Sequence, residues 1–183
     1  MLFNSLYKFK NNFLYLLFNK NRYELIINKL KSIIIKKNGS PEVVEMNDVT
    51  VRSPGPRHIK IKNLAIGLNY IDTYHRSGLY PLPLPSGIGL EAAGKIDEVG
   101  SDVTDFSKGD NIAYASTPIG SYSQQRIIPA KNVVKIPDGI SYELAATLMT
   151  KGLTTHYLIC KTYKLQAGET ILFHAAAGGV GQI

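Results

Sequence analysis

The sequence predicts an α+β chain that is mostly β: a small, partly open barrel followed by the first strand of an α/β unit. Three observations carry this prediction. Many short strand-like runs, separated by turn residues, lie between residues 33 and 136. Helical patterning dominates only from residue 141 onward. Near the end, the apolar run at residues 170–174 leads directly into a glycine-rich turn.

The strands of the predicted barrel are short and punctuated by turn residues. Turns are expected at residues 38–41 (NGSP) and 53–56 (SPGP). In the run 58–68, Ile59, Ile61 and, after a one-residue slip, Leu64 and Ile66 are expected to face the same side. The predicted strands span residues 33–37, 43–46, 58–68, 87–100, 111–115, 120–129 and 133–136.

Two helical regions are predicted. A short helix is expected over residues 69–76, followed by an extended loop at 79–85, where alternate prolines restrict the residues before them. A longer helix is expected to begin with Ser141 as its N-cap and to continue over residues 151–164. Leu153, Tyr157 and Cys160 share one face of that helix and are expected to point inward.

The glycine-rich turn after residues 170–174 has the spacing of a dinucleotide-binding motif. Its pattern is Ala176-x-Gly178-x-x-Gly181, with alanine in place of the usual first glycine. Small residues let a pyrophosphate approach backbone N–H groups, although an ordinary strand–turn–helix would also fit. The sequence ends at Ile183. Because the following helix and second strand are not in it, we expect this sequence alone neither to bind a dinucleotide usefully nor to turn over.

Charge and composition separate the first 31 residues from the rest. They contain six lysine or arginine residues and one glutamate, and so carry most of the net charge of +7. The near-neutral remainder argues against a nucleic-acid-binding protein. The apolar run 13–18 is too short to span a membrane. We expect a disordered or loosely helical extension, dispensable for the fold; a membrane-surface helix or a targeting segment are the alternatives.

Four stretches carry a resemblance to a known family: residues 66–80 (IGLNYIDTYHRSGLY), 89–94 (GLEAAG), 151–154 (KGLT) and 174–181 (HAAAGGVG). In their order and spacing, the chain resembles the quinone oxidoreductase (ζ-crystallin-like) branch of the medium-chain dehydrogenase/reductase superfamily. The resemblance covers residues 32–183. It implies a GroES-like catalytic domain at 32–150, and at 151–183 a linking helix with the first strand and glycine-rich turn of a Rossmann domain. The extension, residues 1–31, lies outside it.

The resemblance implies a two-electron reduction of quinones or α,β-unsaturated carbonyl compounds by NADPH, and the single cysteine of the sequence fits a cytoplasmic setting. Zinc-dependent relatives place cysteine and histidine where this sequence has Asn69 and Leu90, which are not zinc ligands, so no metal is expected. The single cysteine, Cys160, also excludes a multi-cysteine zinc site and an internal disulfide. Relatives form homodimers, through strands that are not in this sequence.

The same resemblance implies the site residues. Asn69, Tyr74 and Tyr80 are expected to contact the substrate or the nicotinamide, while Glu91 is expected to be structural. Helix capping by Asn69, core packing of the tyrosines and a solvated Lys151 are the alternatives. The residues expected to contact the cofactor are Asn69, Lys151, Thr154, Tyr157, Ala176, Ala177, Gly178, Gly179, Val180 and Gly181.

Two other functions remain open on the sequence. The chain could be a non-catalytic remnant, a GroES-like domain from a disrupted reading frame. The third hypothesis is a membrane- or nucleic-acid-associated module that uses the basic residues 1–31.

Overall fold

A half-open β-barrel makes up most of the computed structural model, which describes residues 30–183. The mostly β prediction is confirmed. The strands are β1 Leu30–Ile35, β2 Val44–Val49, β3 His58–Gly67, β4 Ser86–Gly87, β5 Glu91–Val99, β6 Asn111–Ala115, β7 Gln125–Pro129 and β8 Val134–Lys135. Helix α1 spans Tyr70–Ser77 and α2 spans Tyr142–His156, continued by a π-helical turn over Tyr157–Thr162.

Two antiparallel sheets form the barrel. One has the order β2-β1-β4 and the other β7-β3-β5-β6-β8. They are joined where the Ile33 N–H donates to the Tyr122 carbonyl at 2.7 Å, beside an isolated bridge between Ser32 and Ser123. The candidate site lies where the end of β3, the start of β5 and the second half of α2 meet.

The core contains mainly isoleucine and small residues. The largest cluster lies between β3, β5, β6 and β7 and consists of Ile59, Ile61, Ala92, Ile96, Ile112, Tyr114, Ile128 and Val133. Helix α2 packs on this barrel through Ala145 and Ala146, which contact Ala93 and Ala113. Because all four are alanines, the helix backbone approaches the sheet closely, and its later residues are brought near the end of β3.

Strand β3 departs from the predicted alternation. Ile59 and Ile61 are buried as expected, but the next buried residue is Asn63, and Leu64 is exposed. The pairing of β3 with β5 slips between Asn63 and Ala65, a β-bulge. The Asn63 amide donates to the carbonyls of Ser121 and Ser123 and accepts from the Tyr114 hydroxyl, so its polar side chain is satisfied in the interior.

Several predicted strands have different bounds in the structure; the strand predicted over 87–100, for example, is divided into β4 and β5. Strand β1 begins at Leu30, three residues early, and Lys31 within it pairs with Asp48. The division between residues 31 and 32 remains a prediction, and the expectations for residues 1–29 lie outside the described residues. The strand predicted over 120–129 is formed only at β7, because residues 120–122 instead donate their N–H groups to Ile88 and Gly89.

The predictions for the last part of the chain are wrong in two respects. Residues 170–174 do not form a strand, and Leu172 is 86% exposed. A parallel strand needs a neighbouring strand for its backbone groups, and none of the described strands lies beside it. Leu153, Tyr157 and Cys160 are exposed rather than inward, because within residues 30–183 no second layer covers that face of the helix.

A buried carboxylate ties α1 to the barrel. Asp72 Oδ2 accepts hydrogen bonds from the Asn69 N–H at 3.0 Å and from the Tyr122 hydroxyl at 2.8 Å. Burial raises the pKa of Asp72, although both hydrogen bonds oppose the shift. Burial and the neighbouring carboxylate also raise the pKa of Tyr122. His75 and Glu91 are the other ionisable groups that act on Asp72.

Replacing Asp72 should change how stability depends on pH. Because its folded pKa lies above the ordinary 3.8, the linked stability is full below 3.8 and is lost as pH rises through the folded value. The free energy of unfolding of the wild type, minus that of D72N, should therefore increase as pH is lowered from about 7 to about 4. Urea unfolding of both proteins across this range measures it, and a constant or decreasing difference would contradict the assignment.

Substitution of Gly94 should strongly destabilise the barrel. A Cβ there would overlap the Lys62 carbonyl and the Asn63 Cα on β3, which are backbone atoms that cannot move away. We expect Gly94→Ala to lower the free energy of unfolding by about 3 kcal/mol or more. Gly152→Ala is the matched control, since open space surrounds it within α2 and alanine should stabilise the helix by roughly 0.5–1 kcal/mol. Equal losses in the two variants would refute this account.

Candidate functional site

The candidate site begins where β3 turns into α1. Asn69 has extended backbone and is the N-cap of α1, while Gly78 ends the helix with φ 88°. The Asp72 carboxylate accepts from the Asn69 N–H, and the Asp72 N–H donates to the Asn69 carbonyl at 3.0 Å. Asn69 therefore caps the helix with its backbone. Its amide side chain is left to bind elsewhere.

The side chain of Asn69 contacts Glu91, the first residue of β5. Glu91 is fully buried, with 0% exposure. Its Oε2 accepts from Asn69 Nδ2 at 2.7 Å, and its Oε1 accepts from the Thr150 N–H, also at 2.7 Å. A buried carboxylate is tolerated only when donors replace its water shell, and these two residues supply them.

Lys151 completes the cluster from the side of α2. Its ammonium donates to Asn69 Oδ1 at 3.1 Å and to the Leu68 carbonyl at 3.3 Å, and lies 3.9 Å from Glu91 Oε2. Both Asn69 and Lys151 were predicted as site residues, and the structure brings them into direct contact. Lys151 lies within α2 rather than at its start, and its ammonium binds two groups of the β3–α1 junction.

The glycine-rich turn lies beside Lys151. A Cβ on Gly179 would come within 2.6 Å of the lysine side chain, so the two are in close contact. The Thr155 hydroxyl donates to the Val180 carbonyl at 3.3 Å, and Ala175 has φ 56°. Among the described residues, the N–H groups of Gly179, Val180 and Gly181 have no acceptor. The turn thus presents free amide donors next to an ammonium group.

Tyr74 and Tyr80, both predicted site residues, lie side by side in the structure. Their ring centroids are 5.2 Å apart, and the Tyr80 N–H donates to the Tyr74 carbonyl at 3.2 Å. Tyr70, which the sequence did not single out, packs edge-on against Tyr74 at 5.3 Å. Within residues 30–183 the hydroxyls of Tyr74 and Tyr80 have no hydrogen-bond partner, so they can donate to a ligand.

The remaining predicted site residues form no side-chain hydrogen bond to the cluster of Asn69, Glu91 and Lys151 within the described residues. The Thr154 hydroxyl donates to the Thr150 carbonyl at 2.7 Å, within the helix. Tyr157 is 60% exposed on the π-helical turn. The Ala177 carbonyl accepts from the Gln182 side chain, and Ala176 packs against Gly181. Sequence reasoning missed Thr150, whose buried hydroxyl has no partner among the described residues and whose N–H binds Glu91.

Two cavities are found away from the candidate site. They are shallow, of about 410 Å³ each, one beside Arg57 and Lys131 and the other beside Arg52 and Arg126, and neither is lined by a predicted site residue. In the part of the chain that the structure describes, no three His, Cys, Asp or Glu residues are grouped as metal ligands. In residues 30–183 no helix is long and apolar enough to cross a membrane.

The chain is similar in sequence to a known domain family and to several named proteins. Residues 55–138 match the alcohol dehydrogenase GroES-like domain. The chain is 56% identical over 152 residues to a quinone oxidoreductase of Pseudomonas aeruginosa, an alignment of 82% of this chain with 47% of that protein. It is 49% identical over 148 residues to quinone oxidoreductase 1 of Escherichia coli, covering 80% of this chain and 45% of the relative. The chain thus spans about half the length of the curated relatives it matches.

Solved structures show the same similarity. A Pseudomonas syringae quinone oxidoreductase superposes with a TM-score of 0.81 at 53% identity, over 83% of this chain and 47% of that one. Escherichia coli quinone oxidoreductase, solved in complex with NADPH, also gives 0.81, at 48% identity over 82% and 47%. The chain is thus similar to the quinone oxidoreductase branch of the medium-chain dehydrogenase/reductase superfamily, over about half the length of those proteins.

Proposed function

We propose that this chain provides the substrate-side part of an NADPH-dependent quinone reductase. One observation carries the proposal: Asn69 and Lys151, from distant parts of the sequence, meet beside Glu91, and the turn at Gly179 lies against Lys151. The relatives named quinone oxidoreductase, one of them solved with NADPH, support the choice of reaction. Quinones or α,β-unsaturated carbonyl compounds are the proposed small-molecule substrates.

The described residues fit a dinucleotide at the turn. Free N–H groups at Gly179, Val180 and Gly181 suit phosphate oxygens, and the Lys151 ammonium beside them adds positive charge. Any side chain at Gly181 would overlap Ala176, so the turn requires glycine there. Ala176, Ala177 and Gly178 would line the same path, with Thr154 and Tyr157 at its helical edge. NADPH, once bound, would supply the hydride.

The chain's own residues would orient the acceptor and stabilise charge. A carbonyl oxygen of a quinone gains negative charge as it is reduced, and a phenol O–H is a suitable donor to it. Tyr74 and Tyr80 are proposed for that role because their hydroxyls have no partner within residues 30–183. Asn69 occupies the position of a zinc ligand in metal-dependent relatives, and its amide is held by Glu91 and Lys151. We therefore propose a reaction without metal.

The setting and assembly are proposals of the same kind. A chain with one cysteine forms no internal disulfide, which suits the reducing cytoplasm where we place it. Pairing of two copies, implied by the family resemblance, remains a prediction.

The proposal can be tested on a fusion of this chain with the remaining half of the Pseudomonas aeruginosa relative. The fusion should oxidise NADPH in the presence of 1,4-benzoquinone, with no loss of rate on adding a chelator. Tyr74→Phe should lower the rate by about 100-fold, the usual effect of losing one donor to a developing oxyanion. Tyr163→Phe is the matched control, because that hydroxyl binds Glu169 on the far part of the chain.

Three outcomes would count against the proposal. Loss of rate with chelator, restored by zinc, would show a metal reaction. An unchanged rate in Tyr74→Phe would remove the tyrosine from the mechanism. A folded fusion without turnover would favour the non-catalytic remnant.

A further inference from the structure

We infer that Glu91 is a positioning residue that fixes which way the Asn69 amide points. The inference rests on the proposed function for its meaning in catalysis, but the orientation itself belongs to this chain and can be measured without activity. It depends on four hydrogen-bonding groups whose polarity leaves a single consistent arrangement.

The inner side of the Asn69 amide is determined by a group that only accepts. Glu91 Oε1 is taken by the Thr150 N–H, which is a backbone donor and cannot reverse. Oε2 is left for Asn69, and it is the acceptor in that contact. The Asn69 NH2 group must therefore face inward, at 2.7 Å from Oε2.

The outer side is determined by a group that only donates. The Lys151 ammonium lies 3.1 Å from Asn69 Oδ1 and has no acceptor capacity. The amide oxygen must therefore face outward. Both neighbours require the same orientation, so a flipped amide would place two donors together on one side and two acceptors on the other.

Steric constraints keep Glu91 in place. Glu91 pairs with Gly67 in the β3–β5 ladder, and a Cβ on Gly67 would come within 2.6 Å of Glu91 Oε2. The same Cβ would overlap the Ala146 carbonyl of α2. The carboxylate thus occupies a slot that exists because residue 67 is glycine, between β3 and the helix.

The consequence reaches the proposed cofactor turn. Asn69 Oδ1 holds the Lys151 ammonium, and the carbon chain of Lys151 lies against Gly179. Glu91 does not contact the turn. It acts through Asn69, by keeping an acceptor in the position that holds the lysine beside the free N–H groups.

Glu91→Gln tests the inference because it keeps the shape and reverses the polarity. The introduced glutamine must turn its oxygen to the Thr150 N–H, which directs its NH2 group at Asn69. The Asn69 amide should then flip and present its own NH2 group to Lys151. In 15N-labelled wild-type chain the Asn69 side-chain NH2 should be protected from hydrogen exchange, and in Glu91→Gln its exchange should be at least about tenfold faster. The Gly179 amide resonance should move as Lys151 is released.

A paired substitution provides the rescue. Asn69→Asp alone places two carboxylates together and should lower the urea midpoint of unfolding. Asn69→Asp combined with Glu91→Gln restores the alternation of donors and acceptors, because the introduced aspartate can accept from both the introduced glutamine and Lys151. The double variant should recover more than half of the midpoint lost by either single variant. Glu98→Gln, which removes a partly exposed carboxylate paired with Lys60, should leave the Asn69 and Gly179 signals unchanged.

Unchanged Asn69 side-chain signals in Glu91→Gln, or losses that simply add in the double variant, would overturn the inference. If Glu91→Gln does not fold, Lys151→Met gives a second test, since it leaves Glu91 in place. The Asn69 NH2 group should then stay protected while the Gly179 signal moves. Exposure of that NH2 group in Lys151→Met would show that the lysine, rather than Glu91, sets the orientation. Failure of the fusion to oxidise NADPH would defeat the proposed function and leave these results standing.

Discussion

The buried carboxylate of Glu91 is the constraint on which the site depends. Removing an ionised carboxylate from water costs several kcal/mol unless donors replace the lost hydration. Here a backbone N–H from α2, an amide from the start of α1 and a nearby ammonium do so. The barrel, α1 and α2 must therefore meet at Glu91. The hydrogen bonds that its carboxylate requires fix the positions of both helices relative to the barrel.

This requirement explains several small residues nearby. Gly67 leaves the space that Glu91 fills, and Gly94 lets β3 and β5 approach closely. Ala93, Ala113, Ala145 and Ala146 bring α2 onto the sheet at the distance from which Thr150 reaches the carboxylate. A second buried carboxylate, Asp72, holds α1 in the same orientation through Tyr122. Close packing of small residues and the hydrogen bonds of two buried carboxylates thus both fix the position of Asn69.

Much of the barrel could be predicted from local pattern, because alternation and turn residues act over a few positions. The burial of Ile59 and Ile61 and the capping of α2 by Ser141 are examples. The local sequence pattern gave wrong predictions where contacts between distant residues determine the structure. The bulge after Asn63 depends on pairing with β5, and residues 170–174 have no described strand to pair with. The outward face of Leu153 and Tyr157 likewise follows from tertiary surroundings that periodicity does not contain.

For the candidate site, the sequence indicated some of the residues but not the contacts between them. Family resemblance named Asn69 and Lys151, but nothing in the sequence shows that residues 82 positions apart share a hydrogen bond. A charged residue inside the apolar run after Gly89 was the one local signal for Glu91. The role of Thr150 could not be found, because its backbone N–H carries the contact and any residue type supplies one.

Native-state hydrogen exchange at the Thr150 amide tests most directly whether Glu91 joins the helix to the barrel. If it does, this amide should exchange only through the opening that exposes the buried strand residues Ala92 and Ala93, with the same free energy and the same response to urea. Exchange of the Thr150 amide at the faster rate of exposed positions in α2, while Ala92 and Ala93 remain protected, would show that the helix opens independently. The contact to Glu91 would then not organise the site.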